Sequence, residues 1–123
     1  MRVPTRVHGF LDYPVGVLLL ALPWLSGFAR GGAETWVLVL VGAGGLLYSA
    51  LTDYELGVVK RLAMPLHLLL DGISGAFLAA SPWLFGFDQT VWLPHVLAGL
   101  WIIVVATLTN TIPGYERRRA DQG

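Results

Sequence analysis

Cysteine is absent from all 123 residues. Its absence excludes disulfides, thiolate catalysis and Cys-ligated metals. Charge is nearly as scarce: Asp, Glu, Lys and Arg make up 13% of the chain, where soluble domains carry about a quarter. So few charges cannot coat a small globule, which argues against a soluble bundle of four greasy helices. The formal net charge is zero, and no basic stripe interleaved with aromatics suggests a nucleic-acid partner. The sequence also lacks a phosphate-binding loop, a zinc-protease spacing and a recognisable nucleophile–base pair, so it leans away from an enzyme.

What is present is apolar, at 55% of residues. The charges are segregated: residues 13–29, 35–52, 72–87 and 89–115 contain none. A bilayer-spanning helix needs about 20 mostly apolar residues, and four spans follow, at about 7–28, 34–53, 64–87 and 91–111. The first resembles a secretory signal behind the basic MRVPTR. No good small-x-small cleavage site follows it, and the same segment recurs as an internal helix, so it is read as part of the mature protein. Arg2, Arg6, Lys60, Arg61, Arg117, Arg118 and Arg119 fall on one side of these spans and only Arg30 on the other. By the positive-inside rule, both termini and the middle loop face the cytoplasm.

The chain is written twice. Residues 8–28 align with 67–87 at a shift of 59, with identities at His8/His67, Leu11/Leu70, Asp12/Asp71, Gly16/Gly75, Leu19/Leu78 and Ala21/Ala80. They continue through Pro23/Pro82, Trp24/Trp83, Leu25/Leu84, Gly27/Gly86 and Phe28/Phe87. Greasy helices can match leucines by chance, but not His, Asp, Pro, Trp and two glycines in register. The following helices match at a shift of 57, through Gly42/Gly99, Leu51/Leu108, Thr52/Thr109 and Asp53/Asn110. The unit is a two-helix hairpin, so both copies point the same way across the membrane. Positions 8, 11, 12, 16, 19 and 23 lie within an arc of about 140° on the helix. These faces are expected to meet near the pseudo-twofold axis, with Gly16 and Gly75 allowing close approach.

Each copy closes on the same heptad, LPWLSGF at 22–28 and SPWLFGF at 81–87. Pro23 and Pro82 are expected to kink or end their helices. Trp24 and Trp83 suit the headgroup layer, joined by Trp36 and Trp92. Gly27 and Gly86 permit the return turn, and Ser81 can bond a carbonyl freed by the proline. With SPW at 81–83, the Gly-Phe pair after it and a second copy at 22–28, the sequence resembles the SPW-repeat family of small bacterial membrane proteins. The resemblance covers about residues 7–112. It implies a membrane location and a fold of two-helix repeats, and brings no catalytic residues.

The polar residues that could carry chemistry are His8-x-x-x-Asp12 and His67-x-x-x-Asp71. At i, i+4 each pair shares a helix face, with both carboxylates about 5–10 Å inside the cytoplasmic boundary. An acid at mid-membrane costs about 2.5–3.5 kcal/mol on insertion scales, so it faces protein or water and finds a partner. Thr52, Asp53, Thr109 and Asn110 end the even-numbered spans on the same side and could line a common cavity. Three readings stand: a structural cluster that fixes helix register, a site for a divalent metal held by His8, His67, Asp12 and Asp71 or for a haem ligated by His8 and His67, and a proton or cation site of a small transporter. A transport pathway would call for a homodimer or a larger membrane partner around four short spans. His95 is read as an interfacial residue bonded to water, and Tyr54 and Glu55 as solvated flanks.

The reading is an all-α membrane protein with four transmembrane helices in two parallel two-helix hairpin repeats. A single membrane domain covers 1–123, with repeat one at 7–54, repeat two at 64–112 and a cytoplasmic tail at 113–123. Its role is that of a non-enzymatic membrane module or accessory subunit, without a cofactor in that reading.

Overall fold

The computed structural model describes residues 2–122. Four apolar helices follow one another: α1 (Thr5–Leu25), α2 (Ala33–Ala50), α3 (Met64–Leu84) and α4 (Leu93–Leu108). The first three are long and apolar enough to cross a membrane, and α4 is a shorter apolar helix. A further helix, α5 (Gly114–Gln122), forms within the stretch read as a tail.

The side chains are distributed as in a membrane protein. Ten polar or charged residues are buried against nine hydrophobic ones among the described residues, while Val17, Leu40, Ile73 and Leu97 are more than half exposed on the helix exteriors. A water-soluble bundle would show the reverse arrangement. Polar groups inside and aliphatic groups outside fit a chain whose solvent is hydrocarbon.

Both hairpins are knit by glycine. A Cβ on Gly42 of α2 would lie 2.9 Å from the carbonyl oxygen of Gly16 in α1, and one on Gly75 of α3 would lie 2.7 Å from that of Gly99 in α4. Bare backbone on both sides lets each helix pair come together, as small residues do in membrane bundles. The close approach is therefore inside each repeat, α1 on α2 and α3 on α4. The expectation that Gly16 and Gly75 would draw α1 and α3 together is corrected. The odd-numbered helices meet instead through longer side chains, described below.

The even-numbered helices end earlier than their charge-free stretches suggest. Thr109 leaves helical backbone for extended geometry, with φ −85° and ψ 143°, and pairs with Val3 in an isolated parallel bridge; Thr52 pairs with Leu62 in the same way. Val3 donates to the Leu108 carbonyl at 2.7 Å and accepts from the Asn110 N–H at 2.9 Å. Leu62 likewise donates to Leu51 at 2.7 Å and accepts from Asp53 at 2.6 Å. These residues correspond through the repeat shifts of 59 and 57. The chain thus closes on itself as a pseudo-twofold ring, with the entry to each odd helix stitched to the exit of an even one.

The repeated heptad is a helix stop. Pro23 and Pro82 lie inside α1 and α3, two residues before the last turn ends, so they do not terminate the helices. The stop comes from Gly27 and Gly86, with φ of +75° and +71°. Phe28 donates back to the Pro23 carbonyl at 2.9 Å and Phe87 to that of Pro82 at 2.8 Å. In the first copy Gly27 also bonds to Trp24. A left-handed glycine with a 6→1 bond is the Schellman motif. Pro82 cannot supply the N–H that the Leu78 carbonyl would accept, and the Ser81 hydroxyl bonds that carbonyl at 2.6 Å instead. Trp24, Trp83, Trp36 and Trp92 stand outward, each about half exposed or more.

Between this turn and the other end lies the apolar core. Leu19, Leu38 and Leu78 are buried with Phe28 and Val37 in one cluster. They occupy the half of the bundle away from the termini.

Candidate functional site

Four ionisable side chains converge at the end of the bundle that carries both termini. His8 is the fourth residue of α1 and His67 the fourth of α3, with Asp12 and Asp71 one turn further on. Helical spacing brings each Asp beside its own His, and the pseudo-twofold ring brings the two pairs together. His8 Nε2 lies 3.0 Å from Asp12 Oδ1 and 2.9 Å from Asp71 Oδ2. His67 Nε2 lies 3.2 Å from Asp12 Oδ2 and 3.3 Å from Asp71 Oδ2. Both imidazoles are buried, and the carboxylates are nearly so.

The other nitrogen of each imidazole is held by a threonine from the opposite repeat. His8 Nδ1 is 2.8 Å from Thr109 Oγ1, and His67 Nδ1 is 2.7 Å from Thr52 Oγ1. These two threonines are exchanged by the repeat symmetry. Each hydroxyl already donates its single proton to the carbonyl four residues back, Tyr48 for Thr52 and Val105 for Thr109, both at 2.6 Å. Towards the imidazole it can only accept, which assigns a proton to Nδ1 of both histidines. Every Nε2 therefore faces the carboxylates.

Two tyrosines complete the shell and break the symmetry. Tyr48 of α2 donates to Asp71 Oδ1 in a short hydrogen bond, and Tyr54 donates to Asp12 Oδ2 at 2.7 Å. Tyr54 is fully buried, contrary to its reading as a solvated flank. Its ring packs against His67 at 5.3 Å between centroids. Burial, and then the neighbouring Asp12 carboxylate, push its hydroxyl well above the usual phenol range, so it remains a donor. Repeat comparison does not reveal these tyrosines, because their counterparts are Val105 and Thr111.

Asp53 and Asn110 lie one residue beyond the threonines and do not join the four. Their backbone N–H groups make the bridges to Leu62 and Val3, and the Asp53 carboxylate accepts from Tyr115 of α5. Glu55, also read as a solvated flank, ties the chain together instead. It accepts from the Thr5 hydroxyl at 2.7 and 2.9 Å and from the Gly114 N–H at 2.8 Å.

His95 lies in the first turn of α4, at the far end of the bundle. It is fully buried rather than interfacial, with Nε2 2.8 Å from the Glu34 carbonyl. The symmetry-related Phe28 and Phe87 flank its ring, at 5.7 and 4.8 Å. Its counterpart in repeat one is Leu38, which explains the apolar surroundings.

Beside His8, Asp12 and Asp71 is a cavity of about 50 Å³, lined also by Leu11, Leu19, Tyr48 and Trp101. At roughly 10–15 Å³ for each water it has room for a few waters.

No curated protein matches the sequence, and no solved structure matches it. The SPW repeat domain matches residues 6–109. That span takes in both hairpins, both His/Asp pairs and both threonines, and the chain belongs to the SPW repeat family.

Proposed function

We propose that the protein is a non-enzymatic module of the bacterial plasma membrane, with both termini cytoplasmic. In it the His/Asp quartet is the joint that locks two hairpins into one rigid unit for a larger membrane partner. The observation that supports this reading is the crosswise wiring. Each histidine contacts the carboxylates of both repeats and a threonine of the other repeat. A carboxylate that served a passing substrate would keep part of its hydrogen-bonding capacity for it. Here the carboxylates are used by imidazoles and tyrosines.

The transport reading has one observation in its favour, the Asp-lined cavity. Yet Leu19 lies eleven residues beyond His8, about 16 Å along the helix axis, and with Leu38 and Leu78 it fills the bundle from there. An ion leaving the quartet for the far side would meet aliphatic packing.

Proteoliposomes carrying a pH-sensitive dye test the choice. The module reading expects proton leakage equal to that of empty vesicles. Flux abolished by Asp12→Asn in a protein that still folds would overturn it. Single cysteines introduced at Val58, which is exposed, and Gln89 into the cysteine-free chain test the orientation: in intact bacteria an impermeant maleimide should label the second and not the first.

A further inference from the structure

The quartet has a feature that a purely ionic joint does not need. His67 Nε2 is fully buried and has no hydrogen-bond partner. It lies 3.2 and 3.3 Å from two carboxylate oxygens, but off the direction in which an N–H would donate to either. An unpartnered polar atom in a buried place costs about 1–3 kcal/mol, and more where charge is involved. His95 Nδ1 is the other such atom among the described residues, but only His67 Nε2 stands among further metal-binding side chains, where an ion would account for it.

We propose that His8, Asp12, His67 and Asp71 form a four-coordinate site for one divalent transition-metal ion, with Zn²⁺ the preferred occupant. This rests on the reading of the quartet as a joint, and names what sits in it. Four donor atoms, one from each residue, lie within 4.8 Å of one another. Zinc bonds of about 2.0–2.2 Å place the donors of a tetrahedron roughly 3.3–3.5 Å apart. The N···O separations of 2.9–3.3 Å, which use both oxygens of Asp12, already approach that value, and a donor pair at the 4.8 Å limit would close by a little over 1 Å on binding.

Three further features point to a metal. The threonines hold Nδ1 of both rings as the donor, so a metal would displace the proton that His8 Nε2 shares with Asp71 and would meet two Nε2 lone pairs aimed at the centre, the neutral form that ligates metal. That a ligating histidine donates its other N–H to an oxygen is the usual outer-shell arrangement, and tyrosines orient both carboxylates in the same manner. Finally, two carboxylates with a divalent cation sum to zero. A monovalent ion would leave a net negative charge inside the bilayer and a trivalent one a net positive charge, and either costs several kcal/mol.

The donor set decides the kind of ion. Two imidazoles and two carboxylates suit a borderline metal, and a compact four-donor cage suits Zn²⁺ over the tetragonal preference of Cu²⁺ and the six or more oxygens of Mg²⁺ or Ca²⁺. A haem would need a flat slot between the imidazoles, where Asp12 and Asp71 lie. All four positions are filled by protein, as in structural zinc sites, so the ion would join the repeats and carry no reaction.

The experiment uses detergent-purified full-length protein, stripped with chelator and titrated with Co²⁺, then Zn²⁺. One equivalent of Co²⁺ should give the intense visible bands of a tetrahedral complex, bleached by one equivalent of Zn²⁺. The His67→Gln and Asp12→Asn variants should lose the spectrum, and the metal-loaded wild type should unfold at higher temperature than the stripped one. A folded, stripped protein that shows no tetrahedral band overturns the metal site, without need of any variant. So does a band that persists unchanged in a His8→Gln/His67→Gln variant. The module reading is judged separately by flux: vesicles that leak no protons leave it standing even when Co²⁺ does not bind.

Discussion

His8 Nδ1 lies 2.8 Å from the hydroxyl of Thr109, 101 residues along the chain, and this contact joins α1 to the end of α4. Because the Thr109 proton goes to Val105, the imidazole is the donor. Thr109→Val keeps the shape and removes the acceptor, stranding a buried N–H. The expected cost is about 1–3 kcal/mol, while Thr109→Ser should recover most of it. Unfolding in detergent measures both. A valine variant as stable as the serine one would show that the hydroxyl is not the partner of His8.

The glycines of α3 separate packing from propensity. A Cβ at Gly75 would meet the Gly99 carbonyl at 2.7 Å and Ile103 at 2.9 Å, whereas at Gly72 it would meet nothing within 4 Å. Backbone cannot swing aside, so Gly75→Ala should destabilise by about 1–3 kcal/mol as overpacking does. Gly72→Ala should be neutral, or stabilising by up to about 1 kcal/mol through helix propensity. Equal melting temperatures for the two variants would remove the case for glycine-mediated contact between α3 and α4.

The repeated turn can be tested without touching the core. Gly27 and Gly86 have positive φ, and a Cβ on either would have no neighbour within 4 Å. Substitution there has a backbone cost alone, about 1–2 kcal/mol for Ala in the left-handed region. Asn, which tolerates that region better, should cost less. The predicted order of stability at each site is Gly, then Asn, then Ala; an Ala variant matching Gly in a thermal melt would contradict the Schellman assignment.

The repeat made much of this molecule readable from sequence. The charge-free stretches mark four helices, and the His and Asp of each hairpin stand in register because they recur. The comparison fails where the two copies differ. Tyr48 and Tyr54 hold the carboxylates, but they belong to repeat one alone, and tyrosine near a membrane boundary ordinarily reads as an interfacial anchor. Helix ends were read too long for a similar reason. Thr52 and Thr109 are compatible with helix, and only pairing with Leu62 and Val3, distant in sequence or beyond a loop, draws them into extended backbone. Glu55 shows the same limit, since its partners Thr5 and Gly114 are about 50 and 59 residues away.

Glu55 also supplies a pH-dependent prediction. Burial works against its ionised form, but the Thr5 hydroxyl, the Gly114 N–H and nearby Lys60 outweigh this and hold the carboxyl below its ordinary range. A folded-state pKa below the unfolded one means that the unfolded chain binds more protons in that interval. The resulting stability is present above the ordinary glutamate value of about 4.3 and is lost as pH falls through the folded value. Because one oxygen of Glu55 holds the first residue of α5, the loss should appear locally before the bundle responds. Hydrogen exchange at the Gly114 amide, corrected for its intrinsic pH dependence, should accelerate as the solution is taken below about pH 4. Glu55→Gln should exchange rapidly at neutral pH and show little further change on acidification. A wild-type amide whose protection is the same at both ends of that range would mean that Glu55 does not anchor α5.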